Sequence, residues 1–143
     1  MTYHHIIMFF AGVGVPILAA MNAQLGREIG SPALAATVLF SIACLCAAGV
    51  AWLTDAEVAK LAVAPKHLFF AGCLIAFYLL SVTWIAPIIG LGNAIFLVLI
   101  GQLVAAALID QFGLFGATQI QISWTRAAGL ALMASGILLI QKA

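Results

Sequence analysis

The chain has 143 residues, of which 66% are hydrophobic and 6% charged, and its formal net charge is +1. A soluble domain carries about 25% charged residues, so the composition excludes a water-covered globule and puts the chain in the membrane class. A nucleic-acid footprint needs clustered Lys and Arg, and five basic residues against four acidic ones exclude that as well.

Charged residues cut the sequence into apolar runs. A helix needs about 20 apolar residues to cross roughly 30 Å of hydrocarbon. The first run predicts a spanning helix over residues 4–26. No Lys or Arg precedes it and it is too long for the apolar part of a cleaved signal, so it is expected to remain as a span. Gly12, Gly14 and Pro16 interrupt it near its middle. Proline removes a backbone donor and frees a carbonyl one turn back. Spans interrupted by Gly or Pro point to transporter binding sites, which makes these three residues a candidate hinge. The run closes on "MNAQLGREIGSP" (residues 21–32). Gly26 and Gly30 suit a helix stop, and Ser31-Pro32 suits the next helix start. Asn22 comes before the polar turn and is a candidate inward-facing group.

The second helix is predicted over residues 33–53. Cys44 and Cys46 are two apart and point to roughly opposite helix faces, a poor spacing for a shared metal. With Cys73 they read as small buried residues. The loop "TDAEVAKLAVAPKH" (54–67) is short and the most polar in the chain. A third helix follows over 67–87, with Tyr78 and Ser81 near its middle, three apart and on one face. The turn "APIIGLGN" (86–93) separates it from a fourth helix over 93–111, because Pro and Gly clusters end helices. Gln102 sits at the centre of that fourth helix and Asp110 at its end. The fifth helix, 125–141, is short, and Arg126 and Lys142 at its ends can snorkel to the interfaces.

Intramembrane polar residues are expensive and invite a functional reading. Gln102, Tyr78, Ser81 and Pro16 share one depth. They either line a common site or glue the bundle by interhelical hydrogen bonds. Asp110 and Arg126 flank one loop on the same side of the membrane. They are either a gate pair or two separate boundary charges. Gly72 and Ala76, Gly101 and Ala105, and Gly129 and Gly136 repeat at helix-face spacing. Such pairs serve packing within one chain or an interface between subunits. His4, His5 and His67 read as interfacial residues, and Trp52, Trp84 and Trp124 as an aromatic belt.

Five spans place the termini on opposite sides. The N-terminal side then carries Lys60, Lys66 and Arg126, and the other side Arg27 and Lys142. Positive residues set orientation and acids contribute little, so a difference of one specifies orientation weakly. Insertion in both orientations, or orientation set by a partner, is the expectation, and the alternative is one orientation fixed by features other than charge. No zinc-protease, Cys/His, nucleophile-elbow or phosphate-loop motif occurs. No catalytic residue, metal or cofactor is expected, and the chain is not read as an enzyme.

The segments "NAQLGREIGSPALAA" (22–36), "AGCLIAFYLLSV" (71–82), "IGQLVAAALIDQFGLFG" (100–116) and "RAAGLALMASGILLI" (126–140) resemble the YdcZ-like family of the drug/metabolite transporter superfamily. The likeness covers nearly the whole chain in one order, and "GQ" followed by "DxFGLFG" is its most specific piece. Many relatives carry Gln where this chain has Leu18. The resemblance implies an all-α, polytopic inner-membrane protein of five helices, equivalent to half of a ten-helix inverted-repeat transporter. An antiparallel homodimer, or a pair with a homologous five-helix chain, would complete it. The weak charge bias is independently consistent with such a pair.

Residues 1–143 are therefore expected to form one membrane domain working as a small secondary transporter by alternating access. Its partners are a second five-helix chain, the lipid bilayer and a small molecule that the sequence does not identify. Gln102, Tyr78, Ser81 and Asn22 would bind the cargo, Gly12, Gly14 and Pro16 would hinge, and Asp110 with Arg126 would gate. The other readings are a dimeric ion channel, for which no pore-lining ring of charge is evident, and a non-catalytic membrane subunit of a larger complex.

Overall fold

The computed structural model describes residues 3–142, and it is all-helical there. Five helices are long and apolar enough to cross a membrane: α1 (Tyr3–Glu28), α2 (Pro32–Leu53), α3 (Ala71–Ile89), α4 (Leu91–Phe112) and α5 (Trp124–Lys142). They group into two compact units, one running through Leu91 and one starting at Gly92.

In the first unit the helix ends follow local chemistry. Gly30 takes φ +67° just beyond α1, a left-handed conformation that only glycine adopts at little steric cost. Ser31 then caps α2, its Oγ accepting from the Leu34 amide at 3.2 Å. Pro32 follows in the first turn of α2, where its missing N–H costs nothing. The start predicted for the third helix differs. Lys66–Phe70 forms a 3₁₀ turn, and regular α-helix begins at Ala71. At the other end α3 continues past Pro87 to Ile89 and stops at Gly90, φ +90°. Proline denies a bond only to the carbonyl one turn back, so the left-handed glycine, not the proline, ends the helix.

The packing of this unit inverts the pattern of a soluble core. Its buried apolar positions are mostly alanines: Ala19 and Ala23 on α1, Ala35 and Ala36 on α2, and Ala86 on α3. Large side chains such as Phe9, Phe10, Leu45 and Phe77 face outward, where lipid covers them. Gly26 lets α1 and α2 approach closely: a Cβ built there would lie 3.3 Å from both the Pro32 Cα and the Thr83 Cγ2. In lipid, close backbone approach of this kind drives helix association. Cys44, Cys46 and Cys73, expected to be buried, are all exposed. They lie on helices apolar enough to cross a membrane, where a small apolar residue has no need of a protein core.

The second unit is α4, a structured loop and α5. Side chains of the two helices border an apolar cleft of about 180 Å³, with Ile100, Leu103 and Val104 on α4 and Leu130 and Ala134 on α5. Trp52, Trp84 and Trp124 are exposed at or near their helix ends.

Candidate functional site

Four residues on α1 and four on α3 repeat the same spacing. Ala19, Asn22, Ala23 and Gly26 are buried on α1, and Leu79, Val82, Thr83 and Ala86 on α3. Positions three, four and seven apart share one helix face, so each set forms a single stripe. The stripes meet at a polar pair. The Asn22 Nδ2 donates to the Thr83 Oγ1 at 2.7 Å, and the Thr83 hydroxyl donates to the Leu79 carbonyl, also at 2.7 Å. Asn22 is 3% exposed and Thr83 2%.

That arrangement fixes the direction of every bond. Thr83 has one proton and spends it on Leu79 O, so its lone pairs are what the Asn22 amide finds. The NH₂ of Asn22 must face Thr83, which leaves Oδ1 as the unused acceptor. Oδ1 is buried and has no hydrogen-bond partner. A buried acceptor left unpaired costs roughly 1–3 kcal/mol. Pro87, four residues after Thr83, also offers no N–H to the Thr83 carbonyl, which concentrates acceptors at this level.

Asn22 lines a groove of about 380 Å³ between α1 and α2. Leu18, Met21 and Leu25 form one wall and Val38, Leu39 and Ile42 the other. Asn22 is its sole polar side chain. A second cleft of about 300 Å³ lies between α1 and α3, bordered by Ala23, Arg27, Ala86 and Pro87.

The other candidates fall as follows. Tyr78 and Ser81 are half-buried on α3, and the Tyr78 hydroxyl is a second buried polar atom without a partner. Helix α1 runs through Gly12, Gly14 and Pro16 without a break. Gln102 lies at the middle of α4 and is exposed, as are Gly101 and Ala105 beside it. No hydrogen bond ties the Gln102 amide to another described residue. The small-residue pairs also stand open: nothing lies within 4 Å of a Cβ built at Gly72, Gly101, Gly129 or Gly136. Those glycines do not serve close packing within their own units.

Asp110 and Arg126 do come together, the Arg126 Nη2 donating to the Asp110 Oδ2. They are 27% and 32% exposed. Three further bonds hold the same loop. The Ile120 amide donates to the Asp110 carbonyl at 2.9 Å, the Ile122 amide to the Gln111 Oε1 at 2.7 Å, and the Gln119 Nε2 to the Gln111 carbonyl at 3.0 Å. Ser123 caps α5, its Oγ accepting from the Arg126 amide at 3.2 Å. Gly113 and Gly116 turn the chain at φ +61° and +78°. The "DQFGLFG" run is therefore one device: Asp110 and Gln111 tether the far side of a loop whose corners the glycines make.

Thr83 and Gln111 hold these two clusters together and were not among the residues expected from the sequence. Thr83 is legible in retrospect, because it sits on the stripe 79–82–83–86 and four residues before Pro87. Ranking by depth favoured Ser81 instead.

The chain belongs to the family described as "Putative inner membrane exporter, YdcZ", which it matches over residues 4–139. It is a multi-pass protein of the inner membrane. No curated protein and no solved structure matches it.

Proposed function

We propose that this member of the YdcZ exporter family is a secondary transporter of a small molecule, working by alternating access as an antiparallel homodimer. One observation carries the reading: the single chain does not satisfy its own polar groups at membrane depth. Asn22 Oδ1 and the Tyr78 hydroxyl are buried and unpaired, and the Gln102 amide is exposed at the centre of a spanning helix. Hydrocarbon offers such groups no partner. Cargo and a second copy do. Gly101 and Ala105 beside Gln102 present the small-residue surface on which a second helix packs closely. Five helices with a weak charge bias suit insertion in both orientations, and two inverted copies complete a ten-helix transporter.

Within this reading Asn22 and Tyr78 hold the cargo, and Gln102 bonds across the subunit interface or joins the cavity it encloses. Pro16 leaves the Gly12 carbonyl without its usual donor, a point at which α1 bends during exchange. The Asp110–Arg126 pair clamps the loop at one mouth.

The test compares cells producing the wild-type chain with cells producing Gln102→Leu at equal membrane abundance. Small molecules are profiled in cytosol and medium. Wild type is expected to lower the cytosolic level and raise the external level of a defined chemical set, and Gln102→Leu to abolish the shift. Identical profiles in wild-type and empty cells would contradict export. Uptake into proteoliposomes that saturates with cargo concentration separates a carrier from a channel.

A further inference from the structure

We propose that the loop between α4 and α5 is a membrane-interface anchor, with Phe115 near its tip and Trp124 at its base seated among the lipid headgroups and upper acyl chains. This surface requires a bilayer and is independent of what the protein transports.

Composition separates this loop from the other long one. From Gln111 to Thr125 no residue is charged, and the charges that flank the run, Asp110 and Arg126, neutralise each other. The loop between α2 and α3 instead carries Asp55, Glu57, Lys60 and Lys66, as a segment in water does. The uncharged loop exposes large apolar side chains along its length: Phe112, Leu114, Phe115, Ile120, Ile122 and Trp124. Phe115 is 81% exposed and Trp124 93%. Both ends of the loop are ends of spanning helices. These side chains therefore continue the lipid-facing surface of α4 and α5, and the bilayer is what covers them.

The backbone suits that location. Lipid penalises unpaired N–H and C=O groups. The Ile120 amide bonds to the Asp110 carbonyl, the Ile122 amide to the Gln111 Oε1, and the Ala117 amide to the Leu114 carbonyl at 3.1 Å. Phe115 adopts φ +56° and ψ +25°, a left-handed conformation that is an outlier for a bulky residue. Glycine would make the same turn at little steric cost, as Gly113 and Gly116 do on either side. An aromatic ring held there, against its backbone preference and exposed, points to a use for the side chain. Trp at headgroup level anchors a span, and Phe adds apolar area at the headgroup–acyl boundary. Helix α5 gains most from such an anchor, because it is the least apolar of the five spans and starts at Trp124.

The closing experiment uses the full chain in vesicles of phosphatidylcholine and phosphatidylglycerol. Cys44, Cys46 and Cys73 are replaced by Ala, and a nitroxide is attached at Phe115→Cys. Its collisions with oxygen, which concentrates in lipid, and with a water-soluble nickel chelate locate the label. Oxygen collisions are expected to exceed nickel collisions several-fold. Trp124 is read by fluorescence in the native loop after Trp52→Phe and Trp84→Phe. A nitroxide on the upper acyl chain is expected to quench it, and aqueous iodide is not. This second reporter keeps the test decisive if Phe115→Cys fails to fold. Phe115→Gly suits the left-handed backbone and removes the ring, and it is expected to at least halve the lipid quenching of Trp124. Nickel collisions in excess of oxygen, or iodide quenching of Trp124 without lipid quenching, would put the loop in water and overturn the proposal. So would a label shielded from both reagents whose spin–spin broadening disappears on dilution with unlabelled chain, because a second copy then covers the tip. Unchanged quenching of Trp124 in Phe115→Gly would overturn the anchoring role of Phe115.

Discussion

Asn22 and Thr83 each lie six residues before the end of their helix, and a 2.7 Å hydrogen bond joins them there. At 1.5 Å per residue both sit about 9 Å inside the same end of the first unit. The bond thus ties α1 to α3 at one depth while turning the Asn22 carbonyl away from Thr83. The two ends of the amide differ: its NH₂ holds the helices and its oxygen stays buried and unpaired.

The structural half of that amide is measurable. Thr83→Val and Asn22→Leu, singly and together, form a double-mutant cycle read by reversible unfolding in mixed micelles. Interhelical hydrogen bonds in membranes are worth about 0.6 kcal/mol on average and up to about 1.7, so a coupling energy in that range is expected. A coupling of zero would show that the two side chains are neighbours without being partners.

Glycines should divide into two classes. Gly26→Leu forces a side chain against the Pro32 backbone and the Thr83 methyl, and overpacking of this kind costs about 1–3 kcal/mol. Gly72→Leu enters open space and is expected to change unfolding by less than about 0.5 kcal/mol. Equal effects would contradict the packing described for α1, α2 and α3.

The loop after α4 should loosen when its ion pair is removed. Asp110 and Arg126 are each about a quarter to a third exposed, so solvent screening limits the pair to about 0.5–1 kcal/mol. Hydrogen exchange at the Ile120 and Ile122 amides reads the loop directly, because both donate into the Asp110–Gln111 turn. Arg126→Ala is expected to speed exchange at both by several-fold, and the swapped pair Asp110→Arg with Arg126→Asp to restore part of it. Unchanged exchange would assign the loop to Gln111 alone.

A backbone test complements this one. Gly113 turns the chain at φ +61°, a conformation that costs a residue with a Cβ about 1–2 kcal/mol. Gly113→Ala is expected to destabilise the second unit by that amount in the same unfolding assay, whereas Gly129→Ala, in an open helical position, is expected to be neutral or stabilising. The reverse order would contradict the turn.

The five helices were readable because charge and hydropathy mark membrane boundaries independently of tertiary detail. Helix ends shifted where backbone conformation decides: Gly90 stops α3 two residues after the predicted end, and Lys66–Phe70 winds more tightly than periodicity shows. The Asp110–Arg126 pair was legible because both residues flank one short loop. Asn22 was legible as a polar residue ahead of its turn, but its partner was not. Residues 61 apart in sequence meet only through the packing of Ala23, Gly26 and Ala86, and an alanine stripe looks like any other apolar run. The glycine pairs misdirect in the opposite sense. Gly101 and Ala105 have the spacing of a packing surface, and within their own unit they stand open.

Inverted pairing is central to the proposed transport mechanism, and side-specific labelling tests it most directly. Glu57 is exposed in the loop between α2 and α3, and acids contribute little to orientation, so Glu57→Cys reports topology without setting it. It is introduced after Cys44, Cys46 and Cys73 are replaced by Ala, and intact spheroplasts are treated with a membrane-impermeant maleimide before and after permeabilisation. Two orientations in equal number give labelling of about half the copies before permeabilisation and of the remainder after it. Labelling of all copies at one stage and none at the other would contradict the antiparallel homodimer.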